Sequence, residues 1–133
     1  MKTLLFAYTG ALLSFLILDA LWITLAAKPM YEQALRSLMR AQPIIVPTVL
    51  FYCMYCAGIV FFAIRPSFGQ DGLASTAMYG ALLGLLAYGT FAATNYAILT
   101  AWTPKLALAD TLWGGVVTAC AAAAGHWAGN HFG

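Results

Sequence analysis

The chain has 133 residues, is 63% hydrophobic and only 8% charged, and carries a formal net charge of +2. A soluble domain holds roughly 25% charged residues, so this composition excludes a water-soluble globule, and the small net charge gives no footing for nucleic-acid binding. The mean hydropathy of +0.85 points to a bilayer, whose core takes about 20 apolar residues per helix. A chain of this length then makes one all-α, multi-pass transmembrane domain, 1–133, of four antiparallel helices.

The first helix is predicted over about 3–26, with Asp19 its only interior charge. Its apolar run is longer than the 7–15 residues of a signal-peptide core and contains that aspartate, so it reads as a retained span. Lys28-Pro29 is expected to end it, because the residue before a proline disfavours helix. Residues 29–42 follow as a polar connection. Met30, Ala34, Leu38 and Ala41 recur at helical spacing, Leu35 widens that face, and Glu32, Arg36 and Arg40 occupy the other. A short amphipathic helix in the membrane interface fits this pattern.

The second helix is predicted over about 44–64, with Pro43 and Pro47 at its start, where a missing N–H is tolerated. Arg65-Pro66 closes it, and residues 67–72 form a turn rich in glycine and small polar residues. The third helix is predicted over about 73–99. Its Gly80-x-x-x-Gly84 step allows close helix approach, within the chain or in a homodimer through glycine-rich faces. After a corner at Trp102-Thr103-Pro104-Lys105, in which Trp102 reads as an interfacial anchor, the fourth helix runs over about 106–127. Lys28, Arg36, Arg40 and Lys105 outnumber Lys2 and Arg65 on the opposite side. The positive-inside rule therefore favours a cytoplasmic position for the first and third connections.

Two stretches share the pattern Asp-x-Leu-Trp: Asp19-Ala20-Leu21-Trp22 and Asp110-Thr111-Leu112-Trp113. One lies late in its helix and the other early, so antiparallel packing brings them to one membrane face. At 1.5 Å rise per residue, Asp19 lies about 10 Å in from that face and Asp110 about 6 Å. Asn95 lies about 6–9 Å in and Tyr52 about 12 Å. Trp22 and Trp113 share a face with their aspartates, and Tyr55 shares one with Tyr52. The candidate ligand- or proton-binding set is Asp19, Trp22, Tyr52, Tyr55, Thr94, Asn95, Asp110 and Trp113. With no cation inside the spans, the two aspartates are expected to hold at least one proton at neutral pH, unless Lys28 or Lys105 snorkels in to neutralise one.

Cys53, Cys56 and Cys120 read as small buried hydrophobes, and His126 and His131 as interfacial. A zinc site wants four ligands at one place, and these residues fall at different depths, so neither a metal nor a cofactor is expected.

Several runs together resemble a family of small bacterial four-helix membrane proteins of unknown function. They are Leu18-Asp19-Ala20-Leu21-Trp22; Phe51-Tyr52 with Tyr55, Gly58, Phe62 and Pro66; and Tyr88 with Thr90. Thr94-Asn95, Ala97, Leu99 and Trp102 continue the pattern, and Asp110-Thr111-Leu112-Trp113-Gly114 ends it. The resemblance implies the bacterial inner membrane and brings no activity with it. One departure stands out: the family often has an aspartate just before Thr-Asn in the third helix, and Ala92 occupies that position here.

Three functions are compatible with these residues. The polar cluster could bind or transport a small amphiphilic ligand or proton, in contact with membrane lipid. It could be interhelical glue in a structural or regulatory subunit. Or the aspartates could form an acid/base pair acting on a lipid substrate. An ionisable residue inside a membrane helix favours the first, because placing it in lipid costs at least a few kcal/mol.

Overall fold

The computed structural model describes residues 2–35, 45–67 and 72–132. Helix α1 (Lys2–Trp22) passes through a π turn (Ile23–Ala27) into α2 (Lys28–Leu35). Helix α3 (Ile45–Ile59) continues through a second π turn (Val60–Ile64) into a 3-10 turn (Arg65–Ser67). Helices α4 (Leu73–Ile98) and α5 (Pro104–Phe132) complete the chain. Among the described residues, four helical stretches are long and apolar enough to cross a membrane: Lys2–Gln33, Ile45–Ile64, Leu73–Ile98 and Pro104–Phe132. Residues 36–42 of the amphipathic connection, Pro43 and Ile44 at the expected start of the second helix, and 68–71 of the second turn lie outside the described residues.

The expected break at Lys28-Pro29 is absent, and the reason is the π turn before it. A proline ring clashes with the carbonyl four residues back and has no N–H to give it. Ile23–Ala27 widens just ahead of Pro29, with the Lys28 N–H bonded to the Ile23 carbonyl. The helix then proceeds past the ring instead of stopping. Val60–Ile64 repeats the arrangement ahead of Pro66, with the Arg65 N–H on the Val60 carbonyl. Residues 29–35 of the amphipathic segment therefore continue the first span. Glu32 and Gln33 are exposed and Leu35 is buried. A 32-residue helix is about 48 Å long, more than a bilayer core of roughly 30 Å, so the polar end extends into the interfacial zone.

Helix α5 is the axis of the bundle, packed between α4 and α1. Its contact with α4 is a ladder of residues four apart, as when i±4 ridges interdigitate. Thr76, Gly80, Gly84, Tyr88 and Ala92 form one rail, and Leu106, Asp110, Gly114, Thr118, Ala122 and His126 the other. A Cβ on Gly80 would lie 2.8 Å from the Ala122 Cβ, and one on Gly84 only 2.0 Å from the Gly114 carbonyl oxygen. Gly114 in turn receives the Tyr88 ring, 2.2 Å from where its Cβ would be. The same step places Ala92 opposite Asp110. The glycine stripe is thus filled within the chain, which leaves Gly80 and Gly84 no free face for a second copy.

Helix α1 meets the other side of α5 through Ala7, Gly10 and Ala11 against Ala124, Gly125 and Ala128. At this end, where α3 finishes and α4 begins, Val60–Ile64 also packs against α1, α4 and α5. Towards the other end the bundle opens. Helix α3 reaches α4 chiefly through that π turn, with a ring contact between Tyr55 and Tyr88 at 6.0 Å. Large apolar side chains cover the outside of α3, including Ile45, Val46, Val49, Leu50 and Met54, as lipid contact requires.

Three sequence expectations are corrected at the helix ends. Trp102 does not protrude as an anchor: it is 6% exposed and packs with Leu35 and Leu106. Helix α5 starts at Pro104, a residue preorganised for a first turn, with Thr103 Oγ1 accepting the Leu106 N–H at 3.1 Å. It runs on to Phe132, so His126 lies inside the bundle, 1% exposed, with Nδ1 2.5 Å from Thr76 Oγ1. His131 is exposed and stacks on Trp127.

Candidate functional site

The wider half of the bundle contains both intramembrane aspartates. Asp19 continues a buried stripe on α1 with a spacing of four, Ala7, Ala11 and Phe15. The stripe resumes at Ala27, the last residue of the π turn, and at Leu35. Asp110 is a rung of the α4–α5 ladder. They are only 7% and 5% exposed and lie within each other's electrostatic reach.

Asp19 is held on both oxygens. The Tyr52 hydroxyl of α3 donates to Oδ2, and the Trp113 indole of α5 donates to Oδ1 at 3.0 Å. Trp113 is itself fixed by stacking on Trp22, with centroids 4.8 Å apart and planes 8° from parallel. Phe15 packs edge-on against Tyr52 at 5.6 Å and Tyr55 at 5.4 Å. One carboxylate thereby joins three helices.

Asp110 is held on one oxygen. Tyr31 of α2 donates to Oδ2 at 2.5 Å. Helical side chains lean towards the N-terminus of their own helix, so Tyr31 reaches back towards the bilayer while Asp110 on antiparallel α5 leans towards α2. Oδ1 of Asp110 has no hydrogen-bond partner among the described residues. The one described side-chain polar atom both sealed and unpartnered is Trp102 Nε1, so Oδ1 retains accessible surface. Neither Lys28 nor Lys105 forms an ion pair with either carboxyl among the described residues.

The other expected members are distributed differently. Tyr55 contacts Thr118, its hydroxyl 2.8 Å from Oγ1, rather than an aspartate. Thr94 is exposed. Asn95 is partly buried, makes no side-chain hydrogen bond among the described residues, and lies off the α4 rail that meets Asp110. Cys56 is in the core as expected, whereas Cys53 and Cys120 are on the exposed surface. Two tyrosines of the cluster escaped the sequence reading. Tyr31 was hidden by the assumed stop at Pro29, although Ala27, Tyr31 and Leu35 continue the α1 stripe. Tyr88 is close enough to interact electrostatically with both carboxyls, and its spacing of four from Gly84 was the available signal.

Chemically, two carboxyls sit among phenol and indole donors with no cation. Such a centre can hold and exchange a proton, or take a donor group from a ligand at the open oxygen. Residues 4–127 match the family described as "Predicted membrane protein (DUF2177)". The chain belongs to this family. No curated protein and no solved structure matches it. The matched residues include both aspartates, Tyr31, Tyr52 and Tyr88, Trp22 and Trp113, and both rails of the ladder. Within this DUF2177 protein, Gly114 of the Asp-x-x-Trp-Gly run has a packing reason, because the Tyr88 ring occupies the space a Cβ would need.

Proposed function

We propose that this membrane protein binds a small amphiphilic ligand, or the proton it exchanges, at Asp110, with Asp19 fixing the wall of the site. The observation that carries the reading is the inequality of the two carboxyls. Asp19 is saturated by Tyr52 and Trp113, as a structural group would be. Asp110 keeps an acceptor oxygen open. A second support is that α3 packs on α4 chiefly through Val60–Ile64, at the end of the bundle away from Asp110. Lys28 and Lys105 lie at the same end, and that favours a cytoplasmic position for it, in a bacterial inner membrane.

Purification in mild detergent, followed by mass spectrometry of the extracted lipids, tests this reading. Wild type is expected to retain a minor amphiphile enriched over bulk lipid, and Asp110→Asn to lose it. An extract with no enriched species in wild type overturns the reading. The bonds of Asp19 favour a second reading, in which the cluster only fastens helices. That reading expects the two extracts to be alike.

A further inference from the structure

The open half of the bundle contains two unmet hydrogen-bonding groups of opposite kind. Trp102 is 6% exposed, and its Nε1–H is sealed from solvent without a partner among the described residues. An indole N–H can only donate, and leaving a buried donor unpaired is unfavourable. Asp110 Oδ1 is the complementary group, an acceptor without a donor. Tyr31 touches both residues: its hydroxyl is 2.5 Å from Asp110 Oδ2, and its ring meets the Trp102 ring at 5.4 Å and 73°.

A groove lies beside this corner. It lies between α2 and the start of α5 and is lined by Met30, Gln33, Thr103, Lys105 and Leu106. Met30 and Leu106 belong to the apolar cluster that encloses Trp102.

From this geometry we infer that the ligand carries a neutral hydroxylated head, as a monoacylglycerol does, on a long apolar chain. One hydroxyl donates to Asp110 Oδ1 and an oxygen of the same head accepts from Trp102 Nε1–H. Other heads fit less well. A carboxylate brings no donor and meets Asp110 with like charge. An ammonium satisfies Asp110 but offers nothing to Trp102. A hydrocarbon satisfies neither. The inference rests on the reading of Asp110 given above and adds the head-group chemistry.

The test measures binding of 1-monooleoylglycerol, oleylamine and oleic acid to the full chain in lipid nanodiscs. Wild type should bind 1-monooleoylglycerol more tightly than oleic acid. Trp102→Phe should weaken 1-monooleoylglycerol by about five-fold, the loss of one hydrogen bond, and leave oleylamine unchanged. Asp110→Asn should weaken both. As a check independent of folding of the variant, 1-monooleoylglycerol should shift the Trp102 indole ¹⁵N–H resonance of the wild-type protein, and oleylamine should not. If Trp102→Phe binds 1-monooleoylglycerol like wild type while Asp110→Asn loses both probes, the head-group inference fails and the Asp110 reading stands. If Asp110→Asn binds both probes like wild type, both fail.

Discussion

Trp113 donates its indole N–H to Asp19 across 94 residues of chain, with Nε1 3.0 Å from Oδ1. Together with Tyr52 on the other oxygen, this makes one carboxyl the junction of α1, α3 and α5. Trp113→Phe keeps an aromatic ring against Trp22 and removes the donor. It should lower stability by about 1 kcal/mol, the scale of a hydrogen bond between membrane helices. Asp19→Ala leaves two donors without an acceptor and should cost about 1–3 kcal/mol. A double-mutant cycle of Asp19→Asn with Trp113→Phe, followed by unfolding in mixed micelles, should show non-additivity. Strict additivity would remove the bond from the account.

The α4–α5 ladder predicts unequal tolerance among glycines. Gly84→Ala drives a Cβ to 2.0 Å from the Gly114 carbonyl. Backbone has to move, so the change should cost at least about 1–3 kcal/mol, the range for overpacking. Gly58→Ala meets nothing within 4 Å and should leave unfolding unchanged or slightly improved. Equal effects at the two positions would contradict the packing.

Continuity of α1 and α2 past Pro29 is open to a direct chemical check. Gln33 and Lys105 line the same groove. In a background with Cys53, Cys56 and Cys120 replaced by alanine, Gln33→Cys and Lys105→Cys should be joined in high yield by a short bifunctional maleimide. An amphipathic helix that left the bundle at Lys28 would give little crosslink.

At the closed end, Thr76 and His126 form a buried polar rung. Thr76→Val keeps the shape and removes the hydroxyl. Stability in micelles should fall by about 1 kcal/mol, with no change in the lipids that co-purify, because this rung is at the far end from Asp110. A changed lipid extract would show that the two ends are not separate.

The four helices could be read from composition and hydropathy because burying backbone in lipid leaves few other solutions. The two Asp-x-Leu-Trp stretches were legible as partners because antiparallel order alone brings them together. What escaped was set by local backbone geometry. A proline read as a stop was bypassed by a π turn, and Tyr31 was lost with it. Asn95 was placed by depth alone, whereas the four-residue ladder selects Ala92 for the position facing Asp110. His126 looked interfacial because the last helix was ended about one turn early.

The central claim is that Asp110 keeps an oxygen open to a ligand and Asp19 does not. Infrared difference spectra of the protein in nanodiscs, recorded with and without 1-monooleoylglycerol, test that claim most directly, with Asp19→Asn and Asp110→Asn assigning the two carboxyl bands. The account predicts that 1-monooleoylglycerol shifts the Asp110 band and leaves the Asp19 band in place. A shift of the Asp19 band alone, or of neither band, would contradict it.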